Sequence, residues 1–211
     1  MTGPSVVLPE LSEAGRSRLR ELADAAGIRR IHMLGWRDLE DPEAGGSEVH
    51  ASTVAALWAA AGLEVTMRSS AGVGLSSVGF RDGYRVIRRG SRYGVFPRAV
   101  AAEVTGRHGP ADALVEIWNG VPFLSPLWWR GPRMVWLHHV HGPMWNMALG
   151  PLGTMGRIFE ERVAPRWYRK VPVVTLSRSS ETELVHQLGI PPRRLGVVEP
   201  GIDPRFRPGG A

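Results

Sequence analysis

Apolar residues along this chain form short, nearly continuous runs that are separated by amphipathic stretches and by turns rich in glycine. The runs have the length and composition of buried strands, and they cover residues 30–35, 63–68, 84–89, 112–118, 133–137, 171–176 and 194–198. Helical spacing marks residues 12–26, 47–61, 93–108, 153–167 and 180–188, and a single helical turn is expected at 124–129. Apolar strands that alternate with helices are typical of a parallel sheet covered by helices on both faces. The pattern therefore predicts an α/β fold.

Local signals refine the ends of these elements. Ser12 is a candidate N-cap for the first helix, and Gly27 is a candidate stop. The stretch from Ser69 to Gly83 is rich in glycine and serine, so we expect a mobile loop there. Pro172 lies at the start of the sixth strand, and a proline in a strand favours a position near the edge of the sheet.

The first strand leads into Gly45 and Gly46, which open the second helix at about Ser47. Glycine lets the backbone turn sharply and come close to a ligand, and a helix N-terminus suits an anionic group such as a phosphate. The alternative is that the pair only makes a tight connection. Glu48 either caps the helix or accepts a hydrogen bond from a bound hydroxyl. The buried face of the helix is expected to contain Val49, Val54, Leu57 and Trp58.

Polar or flexible residues follow three of the predicted strands. They are Gly45 and Gly46 after the first strand, Asn119 and Gly120 after the fourth, and His138, His139 and His141 after the fifth. In a parallel sheet ligands bind beyond the carboxyl ends of the strands, so we expect these residues to converge on one site. A histidine there can transfer a proton or hydrogen-bond a sugar hydroxyl. The alternatives are a metal site and ordinary loop residues.

Two further groups of residues bear on a metal or a ligand. The acidic residues before the glycines do not have the spacing of a calcium loop, so we expect a solvated loop at Asp38, Glu40, Asp41 and Glu43. Tryptophans are frequent in the second half of the chain. Each could stack on a sugar ring, face lipid at the edge of a site, or pack in the core. They are Trp118, Trp128, Trp129, Trp136 and Trp145, of which Trp136 is the clearest core candidate.

Composition excludes several classes of protein. The chain has 211 residues and a net charge of +6, with Lys170 as its one lysine and no cysteine. Disulfides, thiolate catalysis and cysteine-bound zinc are therefore excluded. No apolar run approaches the roughly 20 residues of a membrane span, and no signal peptide is recognisable, so a soluble cytoplasmic protein is expected. The arginines are dispersed, which gives no indication of nucleic-acid binding and leaves peripheral contact with the inner face of a membrane open.

A series of short motifs carries a resemblance to a known family. In order they are Asp41–Glu48, a strand-end histidine, Val174–Ser177, Leu188–Pro191, and Val197–Asp203 with Phe206 and Pro208 beyond. Their order and spacing, from about Ile31 onward, resemble the N-terminal half of a family 4 glycosyltransferase. Glu199-Pro200-Gly201 stands where the family often has Pro-Asn-Gly.

The resemblance implies the GT-B architecture, in which two Rossmann-like domains face each other across a cleft. Residues 1–29 are expected from the residue pattern to form a tail and a helix. The resemblance implies that residues 30–203 form the Rossmann-like N-terminal domain that binds the acceptor, and that 204–211 start an interdomain linker. The second domain, which holds the nucleotide sugar in this family, would then be missing as a partner. We therefore expect the isolated chain to be inactive, whether it is cut from a longer protein or encoded alone. In the family, a hexosyl group is transferred with retention of configuration, generally without a metal or other cofactor.

Roles for individual residues follow from the same resemblance. Gly45, Gly46, Ser47 and Glu48 match the glycine-rich loop that approaches the donor phosphates or the acceptor. His138 matches the active-site histidine that contacts the transferred sugar, and His139 is the alternative. Ser177 and Arg178 match a stretch that lines the cleft, and Gly201 to Asp203 match the turn into the second domain. Asn119 and His141 are assigned to ligand binding by their position at strand ends.

The expected partners are thus a nucleotide sugar and a sugar or lipid acceptor, with no nucleic acid. A different class of function is also consistent with the sequence: a stand-alone Rossmann-like module that binds a sugar, a lipid headgroup or a partner subunit without catalysis. A nucleotide-dependent epimerase is a third interpretation, and the absence of a dinucleotide-binding glycine fingerprint argues against it.

Overall fold

The computed structural model describes residues 11–142 and 144–201. Its strands are β1 (Arg30–Leu34), β2 (Glu64–Ser69), β3 (Val78–Arg81), β4 (Tyr84–Arg88), β5 (Ala113–Trp118), β6 (Arg133–Leu137), β7 (Val173–Thr175) and β8 (Leu195–Val197). They form one sheet in the order β3-β4-β2-β1-β5-β6-β7-β8. All neighbours are parallel except β3, which is antiparallel to β4. The predicted tail and linker, together with Ile202, Asp203, Phe206 and Pro208, lie outside the described residues.

Helices connect the parallel strands. They are α1 (Glu13–Ala25), α2 (Gly46–Ala60), α3 (Val95–Val104), α4 (Ser125–Trp128), α5 (Met144–Leu149), α6 (Gly153–Ile158), α7 (Pro165–Tyr168) and α8 (Arg178–Leu188). Short 3₁₀ turns cover Gly150–Leu152 and Pro192–Arg194, and a π-helical turn covers Phe159–Val163. Within the described residues, no helix is both long enough and apolar enough to cross a membrane.

Successive residues of the central strands point to opposite faces of the sheet, and each face has its own core. Met33 and Val115 belong to a cluster with Ala51 and Ala55 of α2. The adjacent Leu34 of β1 instead belongs to a cluster with residues of α3. A third cluster joins β6 and β7 to α7 and α8. Helices therefore cover both faces, and the predicted α/β, Rossmann-like fold is confirmed.

Local rules correctly located several element ends. The Ser12 hydroxyl caps α1 by accepting a hydrogen bond from the Gly15 N–H at 3.1 Å. Gly189 ends α8 with φ of 64°, a left-handed conformation that glycine adopts without the steric cost other residues incur. All seven predicted strands are present, with ends shifted by no more than two or three residues.

The prediction of a mobile loop from Ser69 to Gly83 is wrong, because β3 lies within it. Residues Asp82 and Gly83, with φ of 46° and 85°, form the tight turn that pairs β3 with β4. Asp-Gly between two strands is a strong hairpin signal. The strand is short, its residues alternate between exposed and half-buried, and it forms the antiparallel edge of the sheet.

Asp38 does not lie in a solvated acidic loop. Its side chain is 1% exposed and contacts Arg81 Nη2 at 2.8 Å and Arg88 Nε at 3.1 Å. Burial acts to raise the pKa of Asp38, but the hydrogen bonds from Arg81 and the Glu40 N–H, together with the charges of Arg81 and Arg88, outweigh burial and hold that pKa below its usual range. The carboxylate therefore anchors the loop before α2 to the β3–β4 hairpin.

Three other expectations need correction. The buried face of α2 consists mainly of small residues, Ala51, Ala55 and Ala56, whereas Val49 is exposed. Alanine lets the helix pack close to the sheet, so the bulky residues that were expected inside lie at its flanks. The predicted helix over 153–167 is broken into α6, the π-helical turn and α7. The strand that follows Pro172 is not at the edge, since β8 pairs with it on the outside.

Candidate functional site

The turn that opens α2 is closed by Glu48. Its carboxylate accepts hydrogen bonds from the Gly45 N–H at 2.8 Å, the Ser47 hydroxyl at 3.0 Å and Trp36 Nε1 at 3.1 Å. The side chain is buried and both of its oxygens are used in these bonds. Glu48 is therefore a capping residue, which was one of the two roles considered for it.

The two glycines of this turn are exposed and are not required by the local fold. A Cβ atom added to Gly46 would meet nothing within 4 Å, and one added to Gly45 would meet only the Glu48 carboxylate at 3.7 Å. Gly45 has φ of −125°, which any residue can adopt. The space above the start of α2 is thus open for a ligand to approach the backbone.

Asn119, which follows β5, contacts this turn directly. Its side-chain amide donates a hydrogen bond to the Ser47 hydroxyl at 3.2 Å. Beside it is a pocket of about 60 Å³ with an aromatic wall. The wall comprises Trp36, Tyr93, Phe96 and Trp145, and Asn119, Gly120 and His141 complete the lining with Arg92 and two further residues.

His138 lies at the end of β6 and contacts a histidine of α2. Its Nε2 is 3.3 Å from Nδ1 of His50, and the two rings meet edge to face with centroids 5.2 Å apart. Burial, and after it the neighbouring rings of His50 and His139, lowers the pKa of His138 to about 4. His138 is therefore neutral near pH 7, where it acts as a hydrogen-bonding group rather than as a cation.

The next two histidines stack on each other. The rings of His139 and His141 are 4.8 Å apart between centroids, and His141 also contacts Trp145 at 5.9 Å. His139 is exposed overall, although partial burial and the His141 ring lower the pKa of its imidazole. The loop after β6 thus presents a pair of rings beside the aromatic pocket.

A buried glutamate holds this loop in place. Glu160 lies in the π-helical turn, and its carboxylate accepts hydrogen bonds from Trp145 Nε1 at 2.7 Å and from the His141 N–H at 3.2 Å. It is fully buried. π-Helical turns are rare and often occur at functional sites, and this one contains the residue that positions His141 and Trp145.

Ser177 and Arg178 occupy the start of α8, at the same edge of the sheet. The Ser177 hydroxyl caps the helix by accepting from the Ser180 N–H at 3.1 Å, and Arg178 pairs with Glu181 at 3.0 Å. Within the described residues, neither makes a hydrogen bond to the other predicted site residues. The structure therefore brings together the α2 turn, Asn119 and the histidines, and leaves Ser177 and Arg178 at the periphery.

Sequence reasoning missed His50 and Glu160. His50 lies four residues after Gly46, one helical turn along α2, and this spacing is the signal that links it to the glycine turn. No local pattern marks Glu160, because its partners are His141 in the loop after β6 and Trp145 in α5. Among the tryptophans, Trp118 and Trp136 are core residues, and Trp145 joins the core to the pocket.

Within the described residues, three metal-ligating side chains do lie within reach of one another, but they are not the strand-end histidines. That group consists of His32, Glu103 and His108, and it lies elsewhere in the fold.

Comparisons with known proteins agree with this architecture. A glycosyltransferase from Rickettsia africae ESF-5 is similar in structure, with a TM-score of 0.56 and 14% identity over 83% of this chain and 44% of that chain. A sucrose-phosphate synthase fragment from Thermosynechococcus elongatus has a TM-score of 0.55 and 13% identity over 82% of this chain and 89% of that one. The present chain thus spans less than half of the Rickettsia protein. No curated protein sequence matches it.

The sequence model described as Glycosyltransferase Family 4 matches residues 44–206, which is most of the chain. The match starts at the α2 turn and includes every strand-end residue described above. The chain therefore belongs to Glycosyltransferase Family 4.

Proposed function

We propose that this chain is the acceptor-binding N-terminal domain of a retaining glycosyltransferase that takes its sugar from a nucleotide-sugar donor. Membership of the family supports glycosyl transfer. The observation that carries the finer assignment is that the open glycine turn, Asn119 and the histidines meet at the carboxyl edge of one sheet.

The start of α2 is the part of this site suited to phosphate. Gly45 and Gly46 leave the backbone accessible, and a helix N-terminus stabilises negative charge. In the proposed enzyme this turn approaches the donor phosphates from below, or positions the acceptor hydroxyl beside them. N–H groups of this turn other than that of Gly45, which is bonded to Glu48, stabilise the charge in the proposed enzyme, and we expect no metal ion to take part.

His138 is the residue suited to the transferred sugar. Its contact with His50 orients the ring and leaves Nδ1 available, since no described residue hydrogen-bonds that atom. A neutral imidazole can accept or donate a hydrogen bond to a sugar hydroxyl without placing a positive charge beside the forming oxocarbenium ion.

The aromatic pocket is the part suited to the acceptor. Tryptophan, tyrosine and phenylalanine offer flat apolar faces on which a sugar ring can stack. The pocket is small, about 60 Å³, so we expect a sugar ring to contact its aromatic wall from the open side. A hexose, free or linked to a lipid, is the acceptor class that fits this arrangement.

The test uses the natural gene product at its full length, incubated with a panel of nucleotide hexoses and of sugar and lipid-linked acceptors. We expect His138→Ala to lower turnover about 100- to 1000-fold, the range measured for loss of one preorganised polar contact. The matched control is His186→Ala, because His186 is exposed on α8, away from the site. Proton NMR of the new glycosidic bond gives its configuration.

Three outcomes would contradict parts of this proposal. If His138→Ala has normal turnover, then either His139 contacts the transferred sugar instead or no strand-end histidine does. An inverted anomeric configuration would exclude the retaining mechanism. Binding of sugars without turnover by the full-length protein would favour the non-catalytic module.

A further inference from the structure

A second group of histidines lies inside the fold and takes no part in the proposed sugar site. His32 is the middle residue of β1, Glu103 is in the last turn of α3, and His108 follows α3 in the next loop. The side chains of the three residues are between 2% and 5% exposed. Three polar side chains from separate segments therefore converge in a buried position.

The contacts between them are short. Glu103 Oε2 is 2.9 Å from His32 Nδ1, and Glu103 Oε1 is 2.6 Å from His108 Nδ1. One ligand atom from each residue can be chosen so that all three lie within 4.8 Å of one another. Neighbouring ligands of a tetrahedral zinc ion, with bonds of about 2.0–2.2 Å, are roughly 3.3–3.6 Å apart, so the two short carboxylate–imidazole contacts would lengthen and all three ligand atoms would settle at that spacing around the ion.

We propose that His32, Glu103 and His108 form a zinc-binding site. Two imidazole nitrogens and one carboxylate oxygen are a donor set that zinc takes in proteins, with water in the fourth position. In the metal-free arrangement, one carboxylate accepts hydrogen bonds from both Nδ1 atoms. On zinc binding each Nδ1 coordinates the metal through its lone pair and the imidazole carries its proton at Nε2, while the positive ion compensates the charge of the buried carboxylate.

An adjoining pocket supplies the fourth ligand and a route of entry. It has a volume of about 300 Å³, and both histidines line it. The rim includes Arg30 and Glu64, the first residues of β1 and β2, so the pocket opens at the amino edge of the sheet. Asp112 pairs with Arg30 at 2.6 Å, which compensates the positive charge at the rim. Water can therefore reach the site from the edge opposite the proposed sugar site.

A metal ion at this position would join three segments of the chain and keep one coordination position for water. The three ligands connect β1, α3 and the loop that leads to β5, and a bound ion would hold these segments together. Since the site and the sugar site lie at opposite edges of the sheet, the zinc proposal does not depend on the proposed transferase function.

The experiment uses the 211-residue chain, treated with a chelator and then titrated with Zn²⁺ by calorimetry, with Co²⁺ as a spectroscopic probe. We expect one tight site and the visible absorption of tetrahedral Co²⁺. His108→Ala and Glu103→Gln should each weaken zinc binding more than about 100-fold, because losing a ligand costs more than the 10- to 100-fold typical of groups behind the ligands. Saturating zinc should raise the melting temperature of the unmodified chain and not of these variants.

A control variant separates this site from the other histidines. In it His138, His139 and His141 are all changed to alanine, and it should bind zinc as tightly as the unmodified chain. Circular dichroism of every variant establishes that it is folded, and Glu103→Gln, which keeps the shape of the side chain, covers the case in which His108→Ala unfolds. Loss of zinc binding in the triple variant, or absence of a tight site in the folded chain, would overturn the proposal.

Discussion

Histidines occur at both edges of the sheet, and the two groups differ in what their rings face. At the amino edge, His32 and His108 share the carboxylate of Glu103. At the carboxyl edge, His138 faces the ring of His50. The carboxylate decides the electrostatics: burial acts to raise the pKa of Glu103, but its bonds to His108 and His32 hold that pKa below its usual range. His138 has no such counter-charge, and burial lowers its pKa to about 4.

The difference indicates how one residue type serves two purposes. Imidazoles that share a buried carboxylate are held by strong hydrogen bonds and suit a structural or metal-binding role. An imidazole that is buried among other rings stays neutral and keeps a free nitrogen for a ligand. Three experiments test this difference: removal of the Glu103 carboxylate, titration of His138, and alteration of Glu160, the carboxylate that supports His141.

The largest effect is expected from Glu103→Ala, measured as the free energy of unfolding in urea with a chelator present. The substitution leaves the Nδ1–H groups of His32 and His108 buried without an acceptor, which should cost about 3–5 kcal/mol. The control is Glu64→Ala, since Glu64 lies at the rim of the same pocket but is exposed, and its loss should change stability by less than about 0.5 kcal/mol. Equal effects of the two substitutions would contradict the structural role of the cluster.

The second effect is a pH dependence that originates at His138. Between pH 6.5 and about 4 the unfolded chain binds a proton at this residue and the folded chain does not, so the native state loses stability as the pH falls. Across that window the loss attributable to His138 is up to about 3 kcal/mol, and it is absent above pH 6.5. His138→Gln should flatten this part of the stability–pH profile. His186→Gln, a change at an exposed histidine, should leave the profile unaltered; a matching change in both variants would assign the slope to other groups.

The smallest effect is expected from Glu160→Gln. The amide keeps one acceptor oxygen but cannot accept at both positions, so either Trp145 Nε1 or the His141 N–H loses part of its hydrogen bonding, at a cost of about 1–2 kcal/mol in unfolding free energy. Glu161→Gln is the matched control, because the adjacent Glu161 makes only an ion pair with Arg157 on the surface. If Glu160→Gln and its control behave alike, Glu160 does not hold the histidine loop.

The apolar runs sufficed to locate β1, β2 and β4 to β8, because strands covered on both faces must be apolar along most of their length. They did not reveal β3, whose residues alternate between half-exposed and exposed. The edge of a sheet needs less burial than its centre, so an edge strand carries a weaker signal. Only the Asp82-Gly83 turn marked it.

The strand-end residues were predictable as a group for a related reason. Parallel strands direct all their carboxyl ends to one edge, so the residues after β1, β5 and β6 were expected at the same edge, and the adjacency of these three strands in the sheet makes them neighbours. Which side chains touch could not be predicted in the same way. The contacts of His138 with His50 and of Glu160 with Trp145 depend on how each helix is rotated and packed, and sequence spacing does not specify that.

By itself the sequence determined the parallel part of the sheet, the N-cap of α1, the end of α8, and the edge at which the candidate site residues meet, because these follow from local propensity and burial patterns. The tertiary structure alone decided the state of the buried charged groups. Asp38, Glu103 and Glu160 are all acidic residues in helices or loops, and nothing near them in sequence distinguishes them from solvated carboxylates. Their burial depends on partners such as Arg81, His32 and Trp145, 15 to 71 positions away, which only the folded chain brings within hydrogen-bonding distance; Glu103 also has a nearer partner in His108.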